Sequence, residues 1–184
     1  MRESREMPTA QITRSGQTGA LPGSEQAHTL IILLHDKLGA IDRVVGLLRR
    51  RRANMQTLVL GRAEQEGDIR ITVSVDDSQV GVEQLVEQLR KIVDVYRVTN
   101  LPAQHAVTRQ LALIKIDTTP STFSEIIERG QRFGAHTVDV TPETMTLEVA
   151  GSEESISQLV DQLRDYGIRE VARSGCVAIA RGNL

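Results

Sequence analysis

From His28 onward the chain switches between two hydrophobic rhythms. Leu30 to Leu34 is an unbroken aliphatic run, which predicts a buried strand. Past Gly39, Ile41, Val44, Val45 and Leu48 fall at i, i+3, i+4 and i+7, one face of a helix. Asn54 to Ala63 holds a second strand around Leu58, Val59 and Leu60, and Gln65 to Asp68 a turn. Ile69, Ile71, Val73 and Val75 alternate with polar residues, as in a half-buried strand. Asp77 is placed to cap a helix whose stripe is Val82, Leu85, Val86 and Leu89. Val93 to Val98 predicts a fourth strand, which completes the order βαββαβ.

Leu101 to His105 interrupts the pattern as a linker, and the order then begins again. Leu111 to Ile116 predicts a strand. The next helix starts either at Pro120 or at Thr122, which with Glu125 resembles a capping box. Phe123, Ile126 and Ile127 form its apolar face. Strands around Val138 and Val140, and around Met145, Leu147 and Val149, meet at a Pro142-Glu143 turn. Ser152 caps a helix bearing Ile156, Leu159, Val160 and Leu163, and Gly167 ends it. Ile168 to Arg173 is a strand, with a further one expected at Val177 to Ile179. The pattern is α+β: two ferredoxin-like βαββαβ units in tandem, each with two helices on one face of a four-stranded sheet. The other face is expected to be bare, so a second copy should cover it or extend the sheet edge, making a dimer.

Composition narrows the function. Of 184 residues, 40% are hydrophobic but only 2% aromatic, so the core is aliphatic and base-stacking platforms for single-stranded nucleic acid are missing. A net charge of −2 gives no basic field toward nucleic acid or an anionic membrane. No apolar run approaches the ~20 residues that span a bilayer. The single cysteine, Cys176, excludes an internal disulfide and a thiolate zinc cluster, and fits a reducing, cytoplasmic setting. Residues 1 to 26 are polar and aperiodic, without the apolar core of a signal peptide, and are expected to be a disordered, dispensable tail.

Catalytic chemistry does not assemble. His28, His35, His105 and His136 lack metal-ligand spacing, and no nucleophile elbow, phosphate loop or dinucleotide fingerprint occurs. The chain is therefore expected not to be an enzyme and to carry no metal. Arg49 to Arg52 closes the first helix, where cations complement the macrodipole. The most suggestive segment is Leu34-His-Asp-Lys-Leu-Gly-Ala-Ile41, a loop leaving a strand and entering a helix at Gly39. Glycine lets a ligand approach the backbone, and a helix N-terminus receives a carboxylate. Taken alone, the segment is better read as a ligand-free turn glycine, which needs only a backbone reason. Asn54, across the helix at the start of the next strand, can donate and accept.

Leu33-Leu-His-Asp-Lys-Leu-Gly-Ala-Ile-Asp-Arg-Val44, followed by Asn54-Met-Gln-Thr-Leu58, resembles the opening of an ACT domain. With Gln84 to Val98, Arg109-Gln-Leu-Ala-Leu-Ile-Lys-Ile116, Val138 to Pro142, Gly167-Ile-Arg-Glu-Val-Ala-Arg-Ser-Gly175 and Ala180-Arg-Gly182, residues 28 to 182 resemble the small regulatory subunit of acetohydroxyacid (acetolactate) synthase. The resemblance implies an ACT domain over 27–104 for effector binding and dimerisation, and an ACT-like domain over 105–184. It implies a non-catalytic chain that docks on a catalytic large subunit, raises its activity and confers feedback inhibition by a branched-chain amino acid, usually valine. Thiamine diphosphate, magnesium and FAD then belong to the large subunit. The effector site expected from it comprises Asp36, Leu38, Gly39, Ala40, Ile41 and Asn54, at the interface of two ACT domains. The chain departs from the family pattern at His35-Asp36, where Glu-Asn is common. It departs again at Arg52-Ala53, where a glycine and an aromatic residue are usual. A free-standing amino-acid-sensing ACT module is the alternative.

Overall fold

The structure, a computed structural model, describes residues 27–76 and 81–182. The tail over 1–26 and the Asp77 cap lie outside the described residues. The first unit comprises β1 (Ala27–His35), α1 (Ala40–Arg50), β2 (Asn54–Arg62), β3 (Asp68–Asp76), α2 (Val82–Leu89) and β4 (Val95–Pro102). Its antiparallel sheet runs β2-β3-β1-β4. Each strand of the central pair places alternate residues inward. Leu30, Ile32 and Leu34 of β1 and Ile71, Val73 and Val75 of β3 meet Ala40, Val44 and Leu48 of α1 and all four stripe residues of α2. A single 3-10 turn, Ala103–His105, separates β4 from the second unit.

The second unit comprises β5 (Ala106–Asp117), α3 (Phe123–Arg132), β6 (His136–Val140), β7 (Thr144–Gly151), α4 (Glu153–Leu163), β8 (Ile168–Arg173) and β9 (Val177–Ala180). The sheet order is β6-β7-β5-β8, and β9 pairs with the start of β5. Ala112, Ile114 and Ile116 of β5 and Met145, Leu147 and Val149 of β7 pack under Ile126 of α3 and Ile156, Leu159 and Leu163 of α4. Ser152 caps α4 as expected, its hydroxyl accepting from Ser155 N–H at 3.2 Å. The capping box at α3 does not form. Thr122 precedes the helix, but its hydroxyl accepts from Thr119 N–H at 3.0 Å, while Glu125 pairs with Arg129.

Further expectations are corrected: β4 takes in Leu101 and Pro102 of the expected linker, with Leu101 buried, and starts at Val95 instead of Val93. β5 begins at Ala106, not Leu111, because its first four residues pair with β9, Ala106 opposite Ala180 through Arg109 opposite Val177. The outer face of the first sheet is also not bare. The β5–β9 ribbon lies on it and, with Ala106 and Ala180, buries Ile31, Leu33 and Leu101. The second sheet does present an open face, where Leu111 and Leu113 are exposed.

Candidate functional site: the turn at the head of the first helix

The turn between β1 and α1 is built around Gly39, which caps α1 in the left-handed region at φ 76°. A Cβ there would be strained by the backbone, which is why glycine stands at this turn, and Arg43 Nη1 would lie 3.3 Å from it. The loop is fastened on both sides. Asp36 N–H donates to the Gly67 carbonyl of the β2–β3 turn at 2.9 Å. His35 N–H donates to the Asp94 carbonyl at 3.0 Å. Asp94 is buried just ahead of β4, and its carboxylate accepts from Arg43 of α1 and faces Lys37 of the loop at 3.8 Å. The loop therefore has a rigid backbone under an exposed tip.

A second polar group stands beside it. His35 Nδ1 lies 2.8 Å from Asp68 Oδ1, and the imidazole stacks on Tyr96 at 5.0 Å between ring centroids. Hydrogen bonds from His35, then from Tyr96, hold the Asp68 carboxyl below the usual carboxylate range. Burial, and then Asp68 itself, push the Tyr96 phenol up.

The expected site residues are distributed as follows. Asp36 and Leu38 are exposed, Leu38 fully, so Leu38 lines nothing within one chain. Ile41 is half-buried. Ala40 is wholly buried in the core, and its N–H is taken by the Lys37 carbonyl at 2.9 Å. A carboxylate at this turn would thus have to meet the neighbouring amides, not that of Ala40. Asn54 opens β2, where it registers with Asp76 of β3, which in turn registers with Ala27 of β1. The far ends of these strands meet as Arg62 opposite Ile69 and His35 opposite Asp68. Within one chain Gly39 and Asn54 therefore stand at opposite ends of the sheet, roughly 26 Å apart along a nine-residue strand at about 3.3 Å per residue.

A two-fold arrangement removes that separation. β2 runs parallel to β1 and forms an edge of the sheet. Antiparallel pairing of two β2 edges would bring the start of one β2 beside the end of the other. That end is where Gly39 sits. Sequence reasoning missed Arg43 and Asp94, which lie 51 residues apart and meet only in the fold. Among the described residues no group of three or more His, Cys, Asp or Glu side chains could hold a metal.

Fold and turn together define a tandem ACT-type protein. A family model described as the AHAS small subunit-like ACT domain matches residues 30–97, and one described as the small subunit of acetolactate synthase matches 109–182. A probable acetolactate synthase small subunit from Archaeoglobus fulgidus is 38% identical over 156 residues, covering 85% of this chain and 98% of the relative. The acetolactate synthase small subunit of Bacillus subtilis is 39% identical over 148 residues, covering 80% and 86%. The crystal structure of the acetolactate synthase small subunit from Thermotoga maritima superposes with a TM-score of 0.78 at 29% identity, covering 86% of this chain and 99% of that one. The chain belongs to the acetolactate synthase small subunit family. A small subunit implies a large partner subunit.

Proposed function

We propose that the chain is a non-catalytic regulatory subunit in the cytoplasm that activates the large subunit and makes it sensitive to a branched-chain amino acid, with valine the first candidate. Thiamine diphosphate, magnesium and FAD are assigned to the large subunit. The effector binds between two copies of the first unit, its carboxylate at the Gly39 turn of one copy and its polar head against Asn54 of the other. The observation that supports this most directly is the pair of positions just described. The Gly39 turn and a polar side chain lie at opposite ends of the sheet beside an edge strand, where two-fold pairing of that edge would unite them.

Co-expression with the large subunit, then activity with and without valine, is the first test. An unchanged rate on adding this chain removes the activating role, and turnover by the pure chain with thiamine diphosphate and magnesium removes the non-catalytic one. Calorimetry with valine on wild type, Asn54→Ala and Gly39→Asp is the second. Coupling of this kind is about 1–3 kcal/mol, so both variants should weaken inhibition by roughly 5- to 150-fold while activation persists. Equal valine binding by wild type and Asn54→Ala would show that the pocket is misplaced.

A further inference from the structure

The β5–β9 ribbon joins the two units more intimately than a linker does. β5 spans 12 residues and does two jobs along its length. Ala106–Arg109 pairs with β9 over the outer face of the first sheet, and Ala112–Ile116 pairs with β8 inside the second. At the junction, Ser174 N–H donates to the Leu111 carbonyl at 2.8 Å, and Leu111 N–H donates to the Ser174 hydroxyl at 2.9 Å, so β8, β9 and β5 are tied at one point. Two contacts fasten the ribbon to the first sheet. Arg70 of β3 donates to the Ala178 carbonyl at 2.8 Å. Gly175 rests directly on β2: a Cβ at that position would overlap Val59 Cγ2 and come within 3.4 Å of the Leu58 carbonyl oxygen.

β2 is the strand that carries Asn54 at its start and Val59 beneath Gly175. A displacement of β2 is therefore felt at Gly175, passes to β9, and moves β5 as one strand of the second sheet.

We infer that Arg70 and Gly175 are positioning residues that latch β9 onto the first sheet, and that this latch carries the effector state of the first unit to the second. The inference rests on the effector reading above, and it concerns transmission, not binding. Gly175→Ala lifts β9 from β2, and Arg70→Ala removes the tie to Ala178. Val59→Ala clears the space that the new methyl would take, so the pair Val59→Ala/Gly175→Ala should restore the fit.

The test uses the complete chain, alone and assembled with the large subunit. In Gly175→Ala and Arg70→Ala the valine concentration for half-inhibition should rise at least fivefold, while the calorimetric valine affinity stays within twofold of wild type. The Val59→Ala/Gly175→Ala pair should return to within twofold of wild type in both. A merely structural role for Gly175 would move binding and inhibition together. Amide exchange gives a readout that needs no effector. Exchange over residues 177–180 should quicken at least tenfold in Arg70→Ala and in Gly175→Ala, and revert in the pair. Inhibition unchanged in the single variants overturns the latch, and so does exchange unchanged in them. Failure of wild type to bind valine overturns the effector reading and, with it, the transmission of an effector state by the latch. The exchange arm then reports whether Arg70 and Gly175 fasten β9.

Discussion

The C-terminus of α1 invites a substitution that should stabilise the protein. Arg52 N–H donates to the Arg49 carbonyl at 3.0 Å, and Ala53 N–H donates to the Leu48 carbonyl at 3.1 Å. These are the paired 5→2 and 6→1 bonds of a Schellman ending, which places Arg52 at the position that prefers glycine. Arg52 accordingly has φ 53°, the only positive φ of a non-glycine among the described residues. The left-handed region costs an L-residue about 1–2 kcal/mol. Glycine brings back roughly 0.5–1 kcal/mol of unfolded-chain entropy. Relative to Arg52→Ala, Arg52→Gly should therefore gain about 0.5–1 kcal/mol, which for a chain of this size is roughly 1–4 °C in Tm. The arginine's charge is a confounding variable, because cations at a helix C-terminus contribute about 0.3–1 kcal/mol. Arg52→Ala removes the charge and keeps the Cβ, so it isolates the backbone effect. Urea unfolding at fixed protomer concentration is the assay, with the midpoint higher in Arg52→Gly than in Arg52→Ala and the slope unchanged. The reasoning fails if Arg52→Gly is no more stable than Arg52→Ala.

Two further outcomes follow from the site. Asp94→Ala leaves Arg43 and Lys37 without their buried partner, and breaking such a pair costs about 3–5 kcal/mol when both ions are buried; with Arg43 half exposed, a loss of about 2 kcal/mol is expected in the same urea assay. A loss below a few tenths of a kcal/mol would remove Asp94 as the anchor of the loop. Asp68, held low by His35 and then Tyr96, contributes stability that is present above the ordinary carboxylate pKa and is lost as pH falls through its own. Wild-type stability should thus decline on acidification below roughly pH 4, and Asp68→Asn should flatten that limb; an equally steep limb in the variant contradicts the assignment.

Most helices and the central strands were legible because one periodicity dominates each. The stripes of α2 and α4 are the residues buried against their sheets. The start of β5 was not legible. Its inward side is Ala106, Thr108 and Gln110, small or polar residues that give alternation no contrast, and Gln110 is nonetheless buried. The start of α3 was ambiguous because a Thr-Glu spacing names a possible hydrogen bond, and Thr119 captured the Thr122 hydroxyl first. The bare outer face expected of each unit followed from treating the units separately. In the first unit that face is occupied by the start of β5 paired with β9, a strand 70 or more residues further along the chain. At the candidate site, Gly39 could be found because only a backbone reason explains it. Arg43 and Asp94 could not, since nothing local marks an ion pair between a helix and a distant turn.

The placement of β9 has a consequence for synthesis. The first unit has all its own strands once Pro102 has emerged, yet β9, the later strand of the ribbon that covers its outer face, ends roughly 80 residues later, at Ala180. At a translation rate of ~5–20 residues per second, Ile31, Leu33 and Leu101 spend about 4–16 s without β9 on a finished sheet. During that interval the nascent chain offers a sticky aliphatic surface, open to chaperones or to a neighbouring chain on the same messenger. Ribosomes stalled within the second unit should yield a first unit that aggregates, and the pairing of β9 with β5 ends the exposure.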